Sequence, residues 1–162
     1  MTDAPAVKEL GELALRVRDL DEMTGFYETV VGLEILERFD TSTFFRLREG
    51  YGGHTQILAL FDRSGGGDYE PPAPAMTSVD HFAFTVDVEE FAAERERLEA
   101  LGVDLDFATH EWVSWRSLYF SDPEENRVEF VCYDERVGDE VDDEPVGDGV
   151  DDDSNGDGSV DG

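Results

Sequence analysis

Apolar and polar positions along this chain change period in an order that occurs twice. From Leu10 to Val17 they alternate, as in a strand with one covered face. From Asp19 to Val31 the spacing becomes helical. Leu20, Met23, Phe26, Tyr27 and Val30 share one side, acids fill the first turn, and Gly32 stands at the stop. Strands are predicted next at Leu33 to Phe39, Thr43 to Arg48 and Thr55 to Phe61. Gly65-Gly66-Gly67 and Pro71-Pro72 then break regular structure. The order recurs with a strand at Ser78 to Val86, a helix at Val88 to Leu101, and strands at Val103 to Thr109, Trp115 to Ser121 and Arg127 to Tyr133.

The recurrence extends to residues. Glu12-Leu-Ala-Leu-Arg-Val17 and His81-Phe-Ala-Phe-Thr-Val86 lie 69 positions apart, and Gly32 and Gly102 lie 70 apart. An internal repeat fixes architecture before any local reading. It predicts an α+β fold of two βαβββ modules, at 9–62 and 78–134, joined by a linker at 63–77. A helix covers one face of each sheet and leaves the other bare. Pairing the modules, within one chain or across a homodimer, would close the bare faces into a cup where the first and last strands converge.

Charge changes this picture at the end of the chain and at its surface. Acids outnumber bases 41 to 12, for a net charge of −29. Residues 135–162 carry twelve acids and one Arg, so −18 falls on residues 1–134. The tail is nearly free of large apolar groups and is expected to be disordered. Its Asp153-Ser-Asn155-Gly-Asp157 spacing is similar to a calcium-loop fragment, without the closing Glu. Such acidity disfavours nucleic acid and anionic membranes. Eleven of the twelve bases are Arg, a combination similar to that of proteins from salt-loving microbes. The N-terminus lacks a basic region followed by an apolar core, and no apolar run approaches a membrane span. A cytoplasmic protein is expected. The single cysteine, Cys132, lies in an apolar run and reads as a buried thiol.

The repeat also points to chemistry. It puts Glu12 and His81 at matching points of the two opening strands, and Glu129 sits inside the apolar run Val128 to Val131. A carboxylate among apolar strand residues is costly unless it faces solvent or meets a cation. Two carboxylates and an imidazole form a mixed oxygen and nitrogen set suited to a divalent ion, with Fe(II), Mn(II), Ni(II) and Zn(II) all candidates.

Several segments together resemble the vicinal oxygen chelate superfamily. They are Ala14 to Leu20, Phe26-Tyr27, Val31-Gly-Leu33, Asp80 to Phe84, Ser117 to Pro123 and Asn126 to Glu129. That superfamily includes glyoxalases, bleomycin-resistance proteins and extradiol dioxygenases, and the resemblance implies paired βαβββ modules in a cupped sheet around a metal. By resemblance, His81 and Glu129 match its second-module ligands and Glu12 takes the first-module place, where His or Gln is usual. Gln56 is the candidate nearest to a ligand on the last strand of the first module. His110, Leu118-Tyr119, Pro123 and Glu129 are similar to the extradiol pattern, with Glu125 where Gly is usual. His54 lies near the place of that group's acid–base residue, which makes His54, His110 and Tyr119 the catalytic candidates. The first expectation is therefore a metal-dependent enzyme acting on a small molecule with adjacent oxygens, most similar to a ring-cleaving dioxygenase. A glyoxalase- or epimerase-like lyase or isomerase comes next, and a non-enzymatic small-molecule binder last.

Overall fold

The computed structural model describes residues 6–66 and 69–138. Two four-stranded sheets are present, each a βαβββ module. The first runs β1 (Glu12–Val17), α1 (Leu20–Phe26), β2 (Glu34–Phe39), β3 (Ser42–Glu49) and β4 (Thr55–Asp62). The second runs β5 (Phe82–Thr85), α2 (Val88–Ala100), β6 (Asp106–His110), β7 (Trp115–Ser121) and β8 (Arg127–Tyr133). Strand orders are β1-β4-β3-β2 and β5-β8-β7-β6. In both, the first strand runs parallel to the last, and the other pairings are antiparallel. The first strand of each module thus has one unpaired edge.

Local chemistry explains the helix boundaries. The Asp19 carboxylate accepts from the Glu22 backbone N–H at 2.9 Å and caps α1. The expected helix continues past Phe26 as a π-helical turn, Tyr27–Val31, which Gly32 ends at φ 88°. Only glycine takes that conformation cheaply. β5 is shorter than its sequence pattern: Ser78, Val79 and Asp80 stay exposed and outside the ladder.

One core joins the modules. Val17, Met23, Tyr27, Phe45 and Leu58 from the first pack with Leu98, Leu118, Phe120 and Val128 from the second, all fully buried. Phe26 meets Phe120 at 6.2 Å between ring centroids, and Phe120 meets Phe130 edge-on at 5.2 Å. The helix-side faces are therefore spent against each other. Residues on the opposite faces of the first strands, Glu12, Ala14 and Arg16, and Ala83 and Thr85, are exposed. The expected closure of the bare faces is not made within this chain.

A polar tie crosses the same boundary. The Tyr27 hydroxyl donates to Oδ2 of Asp122 at 2.8 Å, as does Nδ2 of Asn126. Oε1 of Glu124 accepts from the backbone N–H groups of Arg18 at 2.7 Å and Asp19 at 2.9 Å. Burial raises the Asp122 carboxyl above its usual range, against the hydrogen bonds that lower it. Glu125, in this turn, has φ 66°. The Gly usual at that place in the extradiol pattern thereby gains a physical reason.

Residues 135–138 form a turn rather than tail. Val137 is buried, and Asp134 receives both Arg116 at 3.0 Å and Arg136 at 2.9 Å. Asp134 is held below the usual carboxylate range, chiefly by its hydrogen bond to Arg136. The rest of the acidic tail, with its calcium-like spacing, lies outside the described residues. Cys132 is buried, as expected, and burial pushes its thiol up. Among the described residues no helix is long and apolar enough to cross a membrane.

Candidate metal and substrate site

Side chains alternate across a strand, so the open face of the second sheet can be read from its register. Leu118 and Phe120 on β7 and Val128 and Phe130 on β8 enter the core. Ser117 and Tyr119, and Arg127 and Glu129, therefore point the other way, and pairing sets Tyr119 beside Glu129 and Glu129 beside Ala83. His81 precedes β5 by one residue and belongs to the same face.

These residues form one connected group. Nε2 of His81 lies 3.1 Å from Oε2 of Glu129, whose side chain is only 6% exposed. The His81 and Tyr119 rings meet edge-to-face at 5.6 Å. The Tyr119 hydroxyl lies 3.2 Å from Nε2 of His110. Burial raises the Tyr119 phenol above its ordinary value, and the charge of Glu129 adds to the shift. The Arg127 guanidinium lies over the Tyr119 ring at 5.3 Å and also pairs with Asp106. The Ser117 hydroxyl is buried beside Tyr119, and its contact with the phenol tempers the upward shift of that group.

His81, Glu129, His110 and Tyr119 thus come together, and Glu12, His54 and Gln56 do not join them. Glu12 sits exposed on β1 of the other module. Nε2 of His54 lies 3.3 Å from the Gly11 carbonyl, and Gln56 donates to the Leu10 carbonyl at 3.1 Å. Among the described residues no group of three His, Cys, Asp or Glu converges to hold a metal. The ladder also shows which first-module residue corresponds to Glu129. Ala14 pairs with Ala59 as Ala83 pairs with Glu129, so the counterpart is Ala59 and not Gln56. Gln56 instead lines a cleft of about 920 Å³ between the modules, bounded by Leu10, Arg48, Thr85 and Arg97, to which neither His81 nor Glu129 contributes.

Sequence reasoning missed Ser117, Arg127 and Asp80, whose Oδ1 lies 2.6 Å from Nδ1 of His81. Asp80 alone left a signal, as the residue next to a candidate ligand. The roles of Ser117 and Arg127 depend on strand register.

Known proteins are similar to this chain in sequence and fold. Glutathione transferase FosA of Serratia marcescens is 28% identical over 127 residues, spanning 76% of this chain and 79% of that protein. Metallothiol transferase FosB of Lysinibacillus sphaericus is 28% identical over 128 residues, 76% of this chain and 82% of that protein. The crystal structure of lactoylglutathione lyase from Agrobacterium tumefaciens, 31% identical, superposes with a TM-score of 0.58 over 79% of this chain and 96% of that one. The sequence profile of the glyoxalase/bleomycin resistance protein/dioxygenase superfamily matches residues 9–130, and the chain belongs to that superfamily.

Proposed function

We propose that the protein is a divalent-metal enzyme that uses Lewis-acid rather than redox chemistry on a small substrate with adjacent oxygens. The observation that carries this reading is the contact of His81 with the buried Glu129, an imidazole and a carboxylate 3.1 Å apart on an open sheet face. An uncompensated charge there is costly, and a cation offsets it. The donor set fits Mn(II), Zn(II), Ni(II) or Fe(II). His81 and Glu129 would hold the ion, with Glu12 of a second copy as the third ligand. The unpaired edges of β1 and β5 and the two exposed open faces support a homodimer that brings Glu12 to His81. When bound, the ion would draw charge from a substrate oxygen.

The chain's own groups do the rest. The Tyr119 hydroxyl, on the same face as Glu129, would donate a hydrogen bond to a substrate oxygen. His110, 3.2 Å from that hydroxyl, accepts or returns a proton. The Ser117 hydroxyl lies beside Tyr119 on the same strand and supports the orientation of the phenol. The names of the relatives, a glutathione transferase, a metallothiol transferase and a lactoylglutathione lyase, support a small-molecule substrate.

Ring cleavage is the second reading. It is favoured by the His110–Tyr119 contact and weakened because His54, its acid–base candidate, lies outside the group. The test is metal content in His81→Ala and Glu129→Ala, followed by assays of the reconstituted protein with and without oxygen. Loss of metal in both variants and oxygen-independent turnover are expected. Full occupancy in both would overturn the metal site, and oxygen-dependent catechol cleavage would favour the second reading.

The acid surplus we read as salt adaptation. Raising KCl from ~0.1 M to ~1 M shortens the screening length from ~10 Å to ~3 Å and should raise the melting temperature. A flat response would contradict it.

A further inference from the structure

His81 has a carboxylate at each ring nitrogen. Nδ1 lies 2.6 Å from Oδ1 of Asp80, and Nε2 lies 3.1 Å from Oε2 of Glu129. A neutral imidazole has one N–H, so it can donate to only one of them, and its other nitrogen presents a lone pair. The shorter contact is the one to Asp80, so the ring N–H is assigned to Nδ1 on that side. The two acids also differ in surroundings. The Asp80 side chain is 94% exposed and that of Glu129 is 6% exposed.

His81 needs an orienting partner. It sits one residue before β5, outside the ladder, and its side chain is 39% exposed. Neither strand pairing nor burial in the core fixes the ring. Its edge-on contact with Tyr119 limits the tilt but does not select which nitrogen carries the proton.

Resting on the metal reading above, we propose that Asp80 is the positioning residue of the site. Its carboxylate accepts a hydrogen bond from Nδ1–H of His81 and leaves the Nε2 lone pair facing Glu129. Two acceptors at that separation repel, and a divalent cation between them turns the repulsion into binding. Asp80 would thus convert a histidine–glutamate contact into a cation-seeking pair. Partners of this kind fix tautomer and ring direction at metal sites, and losing one costs ~10–100-fold in metal affinity.

The experiment has two readouts. The first is the nitrogen-15 NMR signature of His81 in metal-free protein, recorded with the ring neutral. Wild type should carry the proton on Nδ1. Asp80→Ala should move it to Nε2, where Glu129 accepts it, and Asp80→Asn, which keeps a carbonyl acceptor, should hold it on Nδ1. The second is Zn(II) affinity by chelator competition. Asp80→Ala should bind ~10–100-fold more weakly than wild type, with Asp80→Asn recovering part of the loss. A proton on Nε2 in wild type, or wild-type Zn(II) affinity in Asp80→Ala, would overturn the role of Asp80 alone. Unchanged Zn(II) binding in His81→Ala would overturn the metal reading and the role of Asp80 with it.

Discussion

At matching points of the two ladders, the first module sets Ala14 beside Ala59 and Ala59 beside Phe44, where the second sets Ala83 beside Glu129 and Glu129 beside Tyr119. The open face around Phe44 is aromatic: its ring meets Phe39 at 6.0 Å and Phe61 at 5.7 Å, both edge-on. The open face around Glu129 carries His81, Tyr119 and His110. The faces turned toward the core are alike in both modules, alternating apolar residues packed into one cluster. Fold is thus held by positions that are apolar in both modules, whereas the open positions differ between them. One module supplies an apolar floor and a single candidate ligand, Glu12, and the other supplies the ionisable groups.

The largest expected stability effect separates the two faces of one strand. Phe45 is fully buried, and Phe45→Ala should cost ~3–5 kcal/mol in denaturant unfolding. Its neighbour Phe44 is half-buried on the open face, and Phe44→Ala should cost roughly 1–2 kcal/mol. Equal losses would mean that the open face is as much a core as the closed one.

A second variant probes the tie between the modules. Tyr27→Phe removes a donor from the buried Asp122 and should cost ~1–3 kcal/mol. Burial, reinforced by the charge of Asp122, raises the Tyr27 phenol well above its ordinary value. The stability this contributes is full below the unfolded phenol pKa of ~10 and is lost as pH rises toward the folded value. Wild type should therefore weaken on the alkaline side, and Tyr27→Phe should weaken less there. Identical alkaline profiles would remove the tie from the account.

The smallest effect is a gain. Glu125 has φ 66°, which disfavours any side chain, and Glu125→Gly should stabilise by about 1 kcal/mol. A loss of stability would mean that the Glu125 side chain does work in the turn beyond holding its backbone.

Much of this was legible in the sequence because periodicity is local. β7 and β8 run as their alternation predicts, at Trp115–Ser121 and Arg127–Tyr133. The repeat also paired Glu12 with His81 and marked Glu129 as an acid in an apolar strand. Register was not legible. Gln56 is the nearest candidate by sequence on the last strand of the first module, and only the ladder shows that Ala59 lies opposite Ala14. The tie of Tyr27 to Asp122 spans 95 positions, and that of Glu124 to Arg18 spans 106, so no local pattern announces them. Nor could the spacing of apolar residues show that the helix-side faces pack against each other and leave Glu12 apart from His81.

The central claim is that the ionisable face of one copy is completed by Glu12 of another. Co-refolding Glu12→Ala with His81→Ala tests it most directly, with Zn(II) content of the mixed dimers as the readout. Each variant alone should bind no metal. In the mixed dimer one site loses both residues and the other regains Glu12 from one copy and His81 from the other, so half of the wild-type Zn(II) should return. No recovery in dimers shown to be mixed would contradict a shared site and confine the metal ligands to one chain.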